Sequence, residues 1–408
     1  MKKSVAIIGS GISGLTACYL LKDQFDVYLF EKSPMLGMAS HGAVIEHNGK
    51  EFRLDVPFRT MKRSYYPTLF EIYQQAGIKT RKVDYSFRVE HNQEHVFSFN
   101  SFKLGSRHFA LPSFKTILNP VSRQIFTDLV KFFKENREAP EVENISIRKF
   151  LTEKGYSDVF MDQFLFPTFA LINTCKNETV GSYPAKSILQ YNKSGLTYDP
   201  QETASHGTAD AAEKLAAGIH KFMPNCEINS ISMVGSQISI SSNLGEVKTD
   251  YLVCATQANK AAHLLRDIDP ERSNLLQQIP YEPSEVILHT DSSFFGKRGK
   301  SLVFQNKTNE SMPQVTLDLS RIYPQLKGGT FFQTWNPHSI PKEPQLLSRS
   351  KFERPIVNST SIPAIEKLLT LNEQQNNKIS LCGSYMGTGI PLLEAGVKSA
   401  VKTCKQIA

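Results

Sequence analysis

Six residues near the start of the chain restrict its fold more than any others. Gly9-Ser10-Gly11-Ile12-Ser13-Gly14 follows the unbroken apolar run Val5–Ile8 and leads into residues 14–22, where Leu15, Cys18, Tyr19 and Leu21 recur near helical spacing. An unbroken run of this kind is how a strand buried on both faces of a parallel sheet reads. Gly9 permits the tight turn, Gly11 lets backbone approach a pyrophosphate, and Gly14 lets the helix pack closely on the sheet. The helix start then offers unpaired N–H groups to phosphate. A second apolar strand, 26–30, ends at Glu31. A carboxylate there accepts hydrogen bonds from a ribose diol and repels a 2′-phosphate. The spacing predicts a dinucleotide whose adenosine carries no 2′-phosphate. Its expected cradle is Gly9, Ser10, Gly11, Ile12, Ser13, Gly14, Glu31 and Lys32.

FAD and NAD are both compatible with that fingerprint. In FAD proteins of this type the ribose strand runs into a second glycine pair, and here Gly37 holds the first position while Met38 replaces the second. The arginine or histidine that often follows is missing, unless His41 takes its place. The C-terminus tips the balance to FAD. Leu381–Ala400 reads as strand, glycine turn and helix, with Pro391 suited to the first helical position. The N–H groups of Ile390 and Leu392 would then be free to face the N1/O2 edge of a flavin. Gly389 would allow close approach to the ring.

With 408 residues, 40% hydrophobic and 21% charged, the chain is expected to form two domains. The fold class expected is α/β: a Rossmann-type FAD-binding domain built from discontinuous segments, with an inserted α+β substrate domain. The first takes residues 1–84, 205–265 and 375–408, and the second 85–204 and 266–374. Phenylalanine-rich alternation at 85–115 predicts strands, and an amphipathic helix covers 121–134. SIRKFLTEKG at 146–155 reads as a short helix closed by Gly155, followed by the apolar, helix-rich stretch 157–173. A helix at 208–222 precedes two or three alternating strands turned at Gly235 and Asn243–Gly245. Residues 336–363, rich in proline, serine and charge, read as a long loop.

The net charge of +8 favours anionic partners, but no dense basic block or nucleic-acid motif occurs, so none of that class is expected. Six cysteines without CxxC or zinc-type spacing suggest free thiols in a reducing cytoplasm. Lys2 and Lys3 before Val5–Ile8 look like the start of a leader peptide in outline only, since glycines break the run at once. A buried first strand is the better reading, and no run reaches the length of a membrane span.

GSGISGLTACYLL, FEKSPMLG and CGSYMGTGIPLLEAGVKSA resemble the flavin-containing amine oxidase superfamily. The similarity is greatest to the predicted NAD/FAD-binding, amine-oxidase-like group associated with cyclopropane-fatty-acid synthases. Leu54–Arg59 with Tyr65-Tyr66-Pro67, Asp250–Thr256 and Phe331–Pro337 carry the resemblance across the middle of the chain. It implies that Gly9, Gly11, Gly14 and Glu31 hold the adenosine pyrophosphate and that Ile228 presents backbone to the adenine. Arg59, Gly383, Gly389 and Ile390 would lie near the isoalloxazine or ribitol. Ser384 stands where many amine oxidases carry an acid that binds ribitol. The flavin-side lysine and the aromatic cage of amine oxidases have no assignable counterpart.

A flavin removes two electrons, commonly as hydride, while the protein positions the substrate. No acid–base pair stands out, so the catalytic residues stay unassigned. His91, Glu94 and His95 in HNQEH read as a solvated turn rather than a metal site. His206 reads as a loop residue, although it could approach the flavin. Tyr66, Trp335 and Tyr385 could line a pocket or simply fill core. Cys382 leaves covalent attachment of the flavin open. The leading expectation is an FAD-dependent oxidoreductase acting on a small, lipid-like or acyl-chain substrate. The alternatives are an amine or amino-acid oxidase, a redox-neutral flavin-dependent isomerase, and a non-catalytic dinucleotide-binding protein. The basic helix at 121–134 could also touch an anionic membrane from the cytoplasm.

Overall fold

The unbroken apolar runs become the inner strands of one parallel sheet. Lys3–Ile8 pairs on one side with Phe25–Phe30 and on the other with Tyr251–Cys254, all in parallel. Lys221–Met223 and Ile379–Leu381 complete the two edges, giving five strands drawn from distant parts of the sequence. Val5, Ala6, Ile7, Leu252 and Val253 are fully buried, as a sheet covered on both faces requires. The computed structural model describes residues 2–407 apart from 39, 84–85, 92–93, 105–106, 138–144, 193–196, 199, 296–302 and 308–310. The expected domain boundary at 84/85 falls outside the described residues.

A second, nine-stranded sheet runs in the order Leu346–Pro355, Tyr281–His289, Phe332–Trp335, Gln314–Asp318, Val303–Lys307, Phe87–His91, Glu94–Leu104, Arg107–Pro112 and Thr197–Tyr198. Its pairings are antiparallel except where Val303–Lys307 runs alongside Phe87–His91. A three-stranded antiparallel sheet, Ile228–Val234, Gln237–Ser242 and Gly245–Thr249, turns at Gly235 and Asn243–Gly245 as the sequence suggests. Helices Pro120–Arg137 and Ile147–Glu153 also form where periodicity places them, the latter closed by Gly155 at φ +67°.

Carboxylates fasten remote segments together at helix starts. Glu394 accepts hydrogen bonds from the Thr68 and Leu69 N–H groups at 3.1 and 3.0 Å, satisfying the first turn of Pro67–Gln75 from the last helix of the chain. Asp55 does the same for Gly207–Ala216, accepting from the Thr208 N–H at 2.9 Å and its hydroxyl at 2.7 Å.

Two expectations need correction. The helix expected at 208–222 ends at Ala216, and Lys221–Met223 forms the edge strand beside Phe25–Phe30. Three residues carry too short a pattern to announce a strand alone. The loop expected over 336–363 contains Leu346–Pro355, which pairs along its length with Tyr281–His289. Its residues alternate between half-buried and exposed, so its charged outer face disguised the period of two.

Candidate functional site

The glycine turn is fixed by steric contacts with almost no slack. Gly9 sits at φ +100°, and a Cβ there would lie 3.1 Å from the Ala255 carbonyl oxygen. A Cβ on Gly14 would lie 1.9 Å from the Gly9 carbonyl oxygen, so helix Ile12–Leu21 can approach the turn only through glycine. Gly11 differs: no protein atom lies within 4 Å of where its Cβ would be. The helix behind it has no side-chain cap and no acid in its first turn. Backbone donors therefore face open space, the arrangement a pyrophosphate fills.

Glu31 is buried beneath this turn. Its carboxylate accepts from the Ser10 N–H at 2.9 Å, the Ser10 hydroxyl at 2.5 Å and the Ser33 N–H at 2.9 Å. The Gly37 N–H in turn donates to Ser10 Oγ at 2.6 Å, and a Cβ at Gly37 would press on Glu31. The glutamate thus ties the first glycine turn to the remnant of the second. Met38, which replaces the other expected glycine, is buried.

A cavity of about 560 Å³ begins at Gly11, Ile12 and Ser13 and passes Ala255 and Thr256 to Gly383, Ser384 and the start of the last helix. Gly383 is held there by Ser399, whose hydroxyl accepts from its N–H at 2.9 Å and can donate to its carbonyl at 3.0 Å. Close packing of the first and last helices supports this junction, for a Cβ on Gly396 would meet the Ser13 hydroxyl at 2.8 Å. The last helix spans Leu393–Ile407, so Pro391 lies just before it rather than in its first turn. The Leu392 N–H donates to the Ile390 carbonyl at 2.8 Å and is not the free donor the sequence suggested. Tyr385 lines the same cavity, and its hydroxyl is buried without a protein partner.

Of the residues singled out from the sequence, Gly11, Ile12, Ser13, Arg59, Gly383 and Ser384 line this cavity. Gly9, Ser10, Gly14 and Glu31 form the layer beneath it. Lys32 is exposed beside Glu31, Ile228 opens the three-stranded sheet, and Gly389 and Ile390 precede the cavity wall. Tyr66, Trp335 and Tyr385 all line the cavity. His206 is exposed and lies off it. Cys382 is fully buried outside the lining, and burial drives its thiol pKa well up. His95 is bonded to Ser98 at 2.9 Å, and no group able to hold a metal occurs among the described residues. Asn92 and Gln93, inside that motif, lie outside the described residues.

Beyond the glycine turns the walls become aromatic. Phe87, Phe99, Phe164, Phe169, Leu171 and Ile172 make an apolar chamber, and Trp335 packs on Phe352 with centroids 5.5 Å apart. Cations interrupt it. Lys62 donates to the Tyr191 carbonyl at 2.6 Å and sits 4.0 Å over the Tyr191 ring. Arg59 donates to the Pro57 carbonyl at 3.3 Å, and Arg354 to Thr174 Oγ1 at 3.1 Å. Burial lowers both arginine pKa values, and the charge of Arg59 lowers that of Arg354 further. Neither arginine has a carboxylate in ion-pair distance among the described residues. Glu353 is the single carboxylate among the described lining residues, and its side chain is exposed and accepts from Asn259 at 3.2 Å.

Sequence reasoning missed Lys62, Tyr191 and Arg354. The signal for Arg354 was the alternation Ser348, Ser350, Phe352, Arg354 in the overlooked strand, which puts it on the inner face with the aromatic ring.

Residues 7–76 match the NAD(P)-binding Rossmann-like domain. No curated protein matches the chain in sequence. Among solved structures the chain resembles a protein of Exiguobacterium sp. 255-15 described as a protoporphyrinogen oxidase, at 14% identity, 100% and 99% coverage of the two chains and TM-score 0.68. It also resembles a CLA-producing fatty acid isomerase from P. acnes, at 14% identity, 99% and 98% coverage and TM-score 0.67. Cyclohexylamine oxidase from Brevibacterium oxydans IH-35A is similar at 14% identity, full coverage of both chains and TM-score 0.64. The fold is therefore shared along the whole chain.

Proposed function

We propose that this chain is an FAD-dependent oxidoreductase that takes hydride from an acyl-chain substrate carrying an acidic head group. The observation that carries the reading is the pairing, in one cavity, of an apolar aromatic chamber with two arginines, neither of which has a carboxylate in ion-pair distance among the described residues, although Asp55 acts on Arg59 from further off. The two half-buried like charges repel, and an oxyanion between them would relieve both. A cationic amine would be repelled by the same field. The fit to FAD rests on the open backbone at Gly11, the Gly383–Ser384 turn at the last helix and the unpartnered Tyr385 hydroxyl. When bound, FAD supplies an acceptor for two electrons as hydride.

The chain's own residues then divide the work. Gly11 to Ser13 present N–H groups to the pyrophosphate. Arg354, braced by Thr174, and Arg59 hold the carboxylate of the substrate through charge-assisted hydrogen bonds. The phenylalanines exclude water and align the chain, fixing which C–H faces the cofactor. Lys62, already bound to the Tyr191 carbonyl, adds positive potential without needing to move.

The test is anaerobic mixing of FAD-loaded protein with medium- and long-chain free acids and, separately, with alkyl amines. Loss of the oxidised-flavin band with acids is the expected result. Bleaching by amines alone would overturn the reading in favour of an amine oxidase. An acid that is converted with no acceptor consumed would place the protein among redox-neutral isomerases.

A further inference from the structure

Half of the large apolar side chains exposed among the described residues are gathered in one place. Phe114, Ile117, Leu118, Val121, Phe126 and Val130 are exposed at 73%, 53%, 63%, 40%, 36% and 39%, all within the helices Phe114–Leu118 and Pro120–Arg137. Elsewhere among the described residues such side chains are scattered singly or in pairs, which needs no explanation. From this cluster, with the charges around it, we infer that the protein docks peripherally on an anionic lipid surface through residues 114–134.

Charge complementarity selects the occupant. The longer helix carries two acids, and both are turned inward. Asp128 is buried and accepts from the Ser157 N–H at 3.2 Å and hydroxyl at 2.5 Å, while Glu135 accepts from the Tyr156 hydroxyl at 2.7 Å. The exposed charges left on it among the described residues are Arg123 and Lys134. Lys131 is committed to the Lys154 carbonyl and the Tyr156 ring. Among the described residues the outer face therefore presents bulky apolar groups with Arg123 and Lys134 and no exposed carboxylate, the pattern that seats a helix among acidic head groups. A second copy of this chain is the competing occupant and becomes an outcome of the test.

The position of the patch gives docking a use. Thr116, between Phe114 and Ile117, is buried and hydrogen-bonded to the Ser98 backbone, and Ser122 donates to the Val96 carbonyl at 2.5 Å. Phe99, the next residue of that strand, lines the cavity. The surface that would enter the head-group layer is thus fastened to one wall of the apolar chamber, and a lipid-derived substrate would have a short path between them. The docking itself does not depend on the redox chemistry proposed above.

The experiment is flotation of the FAD-loaded full chain with vesicles of phosphatidylcholine alone or phosphatidylcholine with phosphatidylglycerol. We expect binding to the anionic vesicles, weakened by salt. F114S/L118S, at exposed positions, should lower partitioning roughly tenfold. R123E/K134E should lower it by a similar factor and remove the salt dependence. Unchanged circular dichroism and cofactor content would show that the variants fold. Equal flotation of wild type and both variants, or no flotation at any lipid composition, overturns the proposal. So does a wild type that is dimeric where F114S/L118S is monomeric, which would make the patch an interface between copies. Flavin reduction by short, soluble acids provides an independent readout, so failure to float and failure to react remain distinguishable.

Discussion

The two ends of the cavity are built on opposite principles. At the glycine end, the turn and the segments packed behind it leave backbone bare: Gly9, Gly11 and Gly14 matter for what they lack, and the Glu31 and Ser10 side chains brace the turn from beneath. At the aromatic end the key polar groups come from distant segments. Arg59, Thr174, Tyr191, Trp335 and Arg354 come from five separate stretches and matter for the side chains they bring. The first kind of site is determined by sterics and tolerates almost no substitution. The second is determined by potential and shape, which many sequences could supply. This fits a fold that this chain shares, at 14% identity to each, with proteins named as differently as an amine oxidase and a fatty acid isomerase.

The sharpest break of this comparison is Gly14→Ala against Gly11→Ala. A methyl at 14 would overlap the Gly9 carbonyl at 1.9 Å, and relief requires the helix to shift. We expect a loss of about 3 kcal/mol and failure to retain FAD, read from thermal melts and cofactor absorbance. A methyl at 11 meets no protein atom, so the apoprotein should stay within about 0.5 kcal/mol of wild type while FAD affinity falls. If both variants lose stability alike, the open space at Gly11 is not a ligand site.

A second contrast lies in pH. His289 is fully buried in the nine-stranded sheet, its Nε2 2.8 Å from Thr334 Oγ1, and burial lowers its pKa from 6.5 to about 4. The unfolded chain takes up that proton first as pH falls. The stability contribution is therefore intact above 6.5 and is lost between 6.5 and 4, by about 3 kcal/mol in all. Denaturant titrations across that window should show the slope, and His289→Gln should flatten it. Because His289 does not line the cavity, bound FAD should raise stability at every pH without changing the slope. A slope that vanishes with FAD would mean that the two sheets are not energetically separate here.

Legibility in the sequence follows the same division. The strand, glycine turn, helix and Glu31 are a contiguous pattern whose every member has a backbone reason, and the parallel sheet followed from it. The start of the last helix was misplaced by two residues because Pro391 is equally at home just outside a helix. The strand Leu346–Pro355 was read as loop since proline and charge nearby masked its alternation, and with it Arg354 was lost. No local pattern could have joined Arg354 to Arg59, for their proximity is a product of the tertiary fold alone.

Arg354→Gln tests that product with a smaller effect. It keeps a donor for Thr174 and removes the charge, so the KM for a free fatty acid should rise roughly tenfold, about 1.4 kcal/mol. The methyl ester of the same acid should show no change. Equal losses on acid and ester would assign Arg354 to packing rather than to carboxylate binding.

The smallest effect is expected at Gly389, and it discriminates most finely. The family resemblance implies that this residue lies near the isoalloxazine or ribitol. The structure places it ahead of the cavity wall that begins at Pro391, without positive φ and with no atom within 4 Å of a Cβ. Gly389→Ala should therefore leave stability within about 0.5 kcal/mol and FAD affinity unchanged by isothermal titration. A marked loss of FAD affinity with an unaltered apoprotein melt would mean that the segment 387–391 folds inward when the cofactor arrives. In that case the C-terminal turn, like the aromatic end, would owe its final shape to what it binds.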